Sequence, residues 1–358
     1  MTALPAKSRC CQCLVLAVRS LVVLVALGML ASCGSMRGAA GKPVPPAPPA
    51  PYTRVFRPDT NTVQLQIAVR RFAAPGRRAP ELWLVGVSHI GDREYYRRLQ
   101  DLLDERTIVL YEGVNAGAHQ RLARRTAVAK RKDPDGEPAS GIKSAAAPGI
   151  QSSMATSLGL VFQLETIDYE RTNFINSDLS VGEIQALLAA GAKGAAGDPG
   201  GGASFQSLLQ IMDGSSFLGG ILQMGLRFIG ASEKLQAITK LAFIETLGQL
   251  KGDLASAGGM PADLRQLMQV LIAARNRQVL QDFQVESGGL RRPDSVAIFY
   301  GTGHMDDMEQ RITRELHYRP MGDIWLTAFS VDLKKTGLST AELQLVRNLV
   351  QWQLSQMK

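Results

Sequence analysis

Thiols are almost missing from this chain. Its 358 residues hold four cysteines, Cys10, Cys11, Cys13 and Cys33, all near the N-terminus. Beyond Cys33 there is no sulfhydryl, which excludes a disulfide, a Cys-x-x-Cys zinc site and a cysteine nucleophile from the body of the protein. Aromatic residues make up only 6%. They are not interleaved with Lys/Arg blocks, and the charge excess is a mild +8, so no nucleic-acid partner is expected. Three of the basic residues, Lys7, Arg9 and Arg19, belong to the N-terminal leader. Several motifs fail: there is no HExxH and no P-loop lysine, G-x-S-x-G around Ser88 breaks at Ile90, and "GTGHMD" departs from G-x-G-x-x-G at Asp306. No apolar run reaches bilayer-spanning length; the run Leu21 to Leu30 and the stretch "FLGGILQMGLRFIG" both fall short.

What is present at the N-terminus is a processing signal. Lys7 and Arg9 precede the apolar run, which stops at Leu30-Ala31-Ser32-Cys33. Small residues before a cysteine, directly after an apolar core, look like a lipobox. That resemblance implies a signal peptide over 1–32, cleavage before Cys33 and a lipid on its sulfur. The lipid would tie the chain to a membrane face without spanning it. Gly34, rather than an aspartate, follows the cysteine. This favours the periplasmic face of the outer membrane over the inner membrane within the cell envelope.

Behind Cys33 the stretch "GKPVPPAPPAPYTRVFRP" (Gly41 to Pro58) is dense in proline and predicts an extended tether over 33–60. "TVQLQIAVRRF" alternates apolar and polar residues and predicts a half-exposed strand; "ELWLVGV" and "TIVLYEGV" predict buried strands with the helix "GDREYYRRLQDLLDER" between them. This β-α-β order argues for an α/β fold: a central mixed β-sheet flanked by helices. The first part of that core runs over 61–180. An inserted helical segment follows over 181–262, and the second part of the core occupies 263–358. A basic helix is expected over Ala116 to Lys132, a loop over Asp133 to Gly149, a loose glycine-rich stretch over Gly191 to Gly202, and a long helix over Asp263 to Val285.

Two distant segments share one pattern. Gly86-x-x-His89-Ile90-x-Asp92-x-Glu94 is matched by Gly301-x-x-His304-Met305-x-Asp307-x-Glu309. Each follows an apolar strand and leads into a helix. The glycines Gly86 and Gly301 permit a sharp departure or a close backbone approach. The histidines then stand over the C-terminal edge of the sheet, where open α/β sheets bind ligands. The acids of the first helical turn can serve the helix N-terminus or orient the rings. Glu112 ends the strand "IVLYEGV", where an acid is costly to bury unless it is paired or binds a metal. Asp178 in "NFINSDLS" is a fourth strand-end acid. Two imidazoles and one carboxylate suit a divalent first-row ion with a position open for water, so His89, Glu112 and His304 are the expected metal ligands. Arg275, on the long helix, can neutralise charge developing on a substrate oxygen. His119 and His317 are read as structural.

Taken together, these residues resemble the TraB/PrgY/GumN group of the TIKI superfamily. Its signature is two distant GxxH motifs, a glutamate closing the second strand and an Arg-Asn pair on a helix before the last GxxH; here these are Gly86 to His89, Glu112, Arg275-Asn276 and Gly301 to His304. The resemblance runs roughly from Leu82 to Phe329. It implies an α/β catalytic core and metal-dependent peptide-bond hydrolysis, with Mn or Co favoured; Zn is a further option. In the mechanism expected here Asp178 is a ligand or base and Arg275 the oxyanion partner. Val87 stands where the family has threonine, and "GVNAGAHQ" replaces an acidic segment. The expected function is therefore an exported lipoprotein hydrolase, a metallopeptidase acting on a peptide or protein. The alternative is a non-catalytic binding lipoprotein that captures a peptide, haem or metal, with Tyr111, Tyr169 or Tyr300 available to haem. A third possibility is docking of the Ser204 to Leu250 helices on a partner or membrane.

Overall fold

A computed structural model of the protein describes residues 50–76, 79–113, 150–180, 182–187, 217–249, 270–289 and 292–356. The leader, Cys33, most of the tether, the expected basic helix with His119, the loop up to Gly149 and the stretch Gly191 to Gly202 lie outside the described residues.

Seven strands form one mixed sheet: β1 (Thr53–Phe56), β2 (Thr62–Ala73), β3 (Glu81–Val87), β5 (Ile108–Tyr111), β7 (Phe174–Asn176), β8 (Ser295–Gly301) and β9 (Arg319–Asp332). A two-residue ribbon pairs β4 (Ile90–Gly91) with β6 (Val161–Phe162) in antiparallel fashion. The helices are α1 (Arg93–Asp104), α2 (Ile150–Ser157), α3 (Gln163–Thr166), α4 (Phe217–Gly230), α5 (Glu233–Leu247), α6 (Arg275–Gly288), α7 (Met305–Arg314) and α8 (Thr340–Gln356). A π-helical turn, Val270–Ala274, runs directly into α6.

The strand β8 shows why the chain folds this way. All seven of its residues are buried. Ala297 and Phe299 point to one face with Val85, Val109, Tyr96 of α1 and Leu241 of α5. Val296, Ile298 and Tyr300 point to the other with Leu84, Leu110, Phe283 of α6 and Met308 of α7. A continuous β-branched and aromatic run is what a strand covered on both faces needs. The result is an α/β fold in three layers, helices on each side of the sheet. Each large side chain buried in full contributes about 1.5–3 kcal/mol.

Topology gathers the site. The strands β3, β8, β5 and β7 lie side by side and parallel, so their C-terminal ends share one edge of the sheet. The latest of them in sequence, β8, sits between β3 and β5. Beyond β3 the sheet turns antiparallel: β9 runs along one edge of β2, while β1 and β3 share the other edge.

Two expectations change. The body begins before Asn61, because "TRVF" between Pro51 and Pro58 forms β1 and Tyr52 is buried. Tyr52 donates to Glu309 and lies under the Arg70 guanidinium. The strand β2 is also not half-exposed. Its polar residues Gln66 and Arg70 are buried, Gln66 against Arg54 and Thr327, Arg70 in a two-point pair with Asp323 and a bond to Glu309. Alternation showed which face was apolar, not that the other face would find internal partners.

Of the stretch Ser204 to Leu250, α5 packs into the core on β1, β2 and β9. On α4, Leu226 and Ile229 are buried while Met224 and Phe228 face outward. Among the described residues no helix is long and apolar enough to cross a membrane.

Candidate functional site

Four adjacent parallel strands each release one polar side chain at the same edge: His89 after β3, His304 after β8, Glu112 after β5 and Asp178 after β7. The turn that presents His89 is held from both sides. Tyr96 Oη donates to the Ser88 carbonyl at 2.7 Å, and Ser88 Oγ donates to the Ile90 carbonyl at 2.7 Å. Ser88 is thus a turn-former, in keeping with the failed nucleophile pattern.

Glu112 is the hub. Its Oε2 accepts from the Gly301 N–H at 2.7 Å, and its Oε1 accepts from Arg275 Nη2 at 2.6 Å. His304 Nε2 stands 3.7 Å from the same Oε1. His89 lies close by: a Cβ on Gly301 would lie 3.3 Å from Glu112 Oε2 and 3.6 Å from His89 Nε2. Glu112 thus lies within reach of His304, and both Glu112 and His89 border the space beside Gly301. Gly86 is confined as well, since a Cβ there would sit 3.1 Å from Thr302 Cγ2 and 3.3 Å from the Ala68 carbonyl.

This packing yields a prediction. The substitution Gly301→Ala places a methyl group against both Glu112 and His89, with an overpacking cost of about 1–3 kcal/mol. It should suppress ligand binding at the site while leaving a folded protein. Circular dichroism with a metal titration on the same sample checks both.

Arg275 is buried and carries the positive charge of the site. It grips Asp178 at two points, Nε to Oδ1 at 2.8 Å and Nη2 to Oδ2 at 2.7 Å. The remaining lone pairs of Asp178 receive the backbone N–H groups of Gly113 at 3.0 Å and Leu179 at 2.7 Å. Asp178 thus anchors Arg275 and has little capacity left for a ligand or base. The π-helical turn ends directly before Arg275 and Asn276, two consecutive residues that both bond groups at the strand ends.

Asn276 belongs to His304. Its Nδ2 donates to the His304 carbonyl at 3.1 Å and to Asp307 at 2.9 Å, which leaves Oδ1, 2.7 Å away, to accept from His304 Nδ1. His304 Nε2 is then a lone pair facing Glu112 and Arg275. The acids that follow the two histidines differ between the motifs. Glu94 is exposed and pairs with Arg97 and Arg98, whereas Asp307 orients Asn276 and Glu309 fixes Tyr52.

Electrostatics follow from burial. Desolvation would raise the Glu112 carboxyl, but Arg275, the two imidazoles and the Gly301 N–H together drive it below the usual carboxylate range. His304 is lowered to about 4, first by burial; Glu112 opposes this and Arg275 adds to it. In metal-free protein the His304 ring should titrate near 4 in an NMR pH series rather than near its ordinary 6.5. The unfolded chain takes that proton first, so stability falls as pH drops from 6.5 towards 4. Asp306, pushed up to about 6 by burial and then Glu309, works in the opposite direction and offsets part of this loss. A His304 midpoint at its ordinary value would contradict the packing described.

The tyrosines named above for haem are otherwise engaged. Tyr300 is fully buried and its hydroxyl donates to the Ser177 carbonyl; Tyr169 accepts from Gln163 Nε2 at 2.7 Å. Tyr111 packs against Tyr169 with the rings tilted at 51°. His317 is exposed in the turn after α7, with a φ of 59°. Sequence reasoning missed Gln163, whose Oε1 lies 3.0 Å from His89 Nδ1; nothing in "VFQLET" marks it.

No family model, no curated protein and no solved structure matches this chain. The site therefore has to be judged on its chemistry. Two imidazole nitrogens and a carboxylate are the donor set a divalent first-row ion selects, and Gly301 keeps the space between them clear of a side chain. As the side chains stand, Arg275 bonds that carboxylate. Among the described residues no three His, Cys, Asp or Glu side chains are already gathered at metal-holding geometry.

Proposed function

We propose that the protein is an exported lipoprotein hydrolase, a metal-dependent peptidase acting on a peptide or protein substrate. In this reading the leader and Cys33 place it in the cell envelope by a lipid anchor, on the periplasmic face of the outer membrane. One observation supports the reading most: the Glu112 carboxylate stands among His304, His89 and Arg275 at the shared end of parallel strands.

In this proposal His89, His304 and Glu112 hold a divalent ion, Mn or Co in preference and Zn as a further option. Such an ion supplies Lewis acidity, lowering the pKa of a water and polarising a carbonyl. The chain's own residues do the rest. Neutral His304 presents a lone pair because burial keeps it unprotonated. Glu112 stays ionised. Arg275 keeps its two-point hold on Asp178, and its remaining N–H groups, which face Glu112 at 2.6 Å and His304 Nε2 at 3.4 Å, would have to turn from these partners to meet negative charge developing on a substrate oxygen.

The test is hydrolysis of a quenched fluorescent peptide library by the full chain. Cleavage should appear with Mn(II) or Co(II), vanish with chelator and return on adding metal back. Metal binding with no turnover of any peptide would instead leave the non-catalytic binding lipoprotein.

A further inference from the structure

We infer that Gln163 is a positioning residue that fixes the tautomer of His89, and that Tyr169 in turn fixes Gln163. The inference deepens the proposed metal site and rests on that reading for its functional consequence only.

The geometry is local. The strand β6 ends at Phe162, which pairs with Ile90 directly after His89. Gln163 follows, and its backbone N–H donates to the His89 carbonyl at 2.9 Å. Its side chain reaches the same residue, with Oε1 3.0 Å from His89 Nδ1. Gln163 is only 3% exposed, so its amide must be satisfied by protein rather than water. The amide nitrogen donates to Tyr169 Oη at 2.7 Å. Tyr169 is held in an aromatic cluster with Tyr111, Phe174 and Phe299. With the nitrogen committed to Tyr169, the oxygen faces the ring and accepts from Nδ1–H. His89 Nε2 is then unprotonated on the side where Gly301 and Glu112 lie.

The same device serves the other histidine. Asn276 receives Nδ1–H of His304 and is oriented by Asp307 through its amide nitrogen. Each imidazole thus has a primary amide behind it, and each amide nitrogen donates onward, to an acceptor-only carboxylate in one case and to a phenol oxygen in the other. Partners of this kind set ring orientation and ligand basicity at metal sites, and losing one weakens metal affinity about 10–100-fold. Gln163 comes from a segment with no part in the GxxH pattern, and the β4–β6 ribbon brings it there.

The experiment uses the full chain labelled with ¹⁵N-histidine, free of metal, at a pH where imidazoles are neutral. Long-range ¹H–¹⁵N spectra read the tautomer of each ring. Wild type should show His89 as Nδ1–H. Gln163→Leu should convert it to Nε2–H or a mixture, Gln163→Glu should retain Nδ1–H, and Tyr169→Phe should give a partial loss. In a Co(II) titration followed by visible absorption, Gln163→Leu should weaken binding about 10–100-fold while Gln163→Glu stays close to wild type. Wild-type His89 found as Nε2–H, which corresponds to the opposite amide orientation, would overturn the assignment. So would a tautomer that Gln163→Leu leaves unchanged. If the tautomer results hold and wild type binds no Co(II), the metal reading fails and the role of Gln163 stands. If Co(II) binds and the tautomer ignores Gln163, the assignment fails and the metal reading stands.

Discussion

Arg275→Met should lower the free energy of unfolding by about 3–5 kcal/mol, the range for breaking a buried ion pair by removing one partner. The reason is what remains. Asp178 has no exposed side-chain surface and Glu112 little, and both lose their cation together. Two carboxylates would then face each other in a desolvated space, and one would take up a proton. Arg275→Lys should not rescue the protein, because a single ammonium cannot reproduce the two-point hold on Asp178 and still reach Glu112. Adding Asp178→Asn to Arg275→Met should recover part of the loss by removing one of the stranded charges. Urea unfolding of the three variants measures this directly. A loss below about 1 kcal/mol for Arg275→Met, the size of a surface pair, would show that the guanidinium is not the keystone described.

The Glu112→Gln substitution has the larger effect on function. An amide keeps the shape and can still accept from the Gly301 N–H, and Arg275 retains Asp178. The stability cost should therefore stay within about 1–3 kcal/mol. Hydrolysis and metal affinity should fall far more. Glu112 is the only anionic side chain of the proposed ligand set, and even an outer partner of a metal site is worth about 10–100-fold. Activity should drop by at least about a hundredfold, measured as kcat/KM on whichever library peptide the wild type cleaves. A Glu112→Gln protein that cleaves at wild-type rate would remove the carboxylate from the mechanism.

How much of this could be read from sequence differs residue by residue. The sheet was legible because β3 and β8 are continuous apolar runs that leave little choice but a strand buried on both faces. The two GxxH segments and Glu112 were legible because polar groups at the tips of such runs need a reason to be there. The segment "TRVF" was not, since its prolines on either side suggest a tether, and only pairing with β2 makes it a strand. The buried state of Arg70 and Gln66 depends on Asp323, Glu309 and Arg54, which come from three other stretches of chain. Asp178 was visible as a strand-end acid, but its grip on Arg275 and its saturation by the Gly113 and Leu179 N–H groups are tertiary facts. Gln163 left no trace at all. A glutamine in a short mixed stretch is ordinary, and its significance arises only when a two-residue ribbon docks it against His89.

The most direct measurement is the metal content of purified full-length protein, by elemental analysis after equilibration with Mn(II), Co(II) and Zn(II), in wild type and in the double variant His89→Ala, His304→Ala. The account predicts close to one tightly held divalent ion per wild-type chain and background levels in a double variant that remains folded by circular dichroism. Equal metal in the two proteins, or none in wild type, would contradict it.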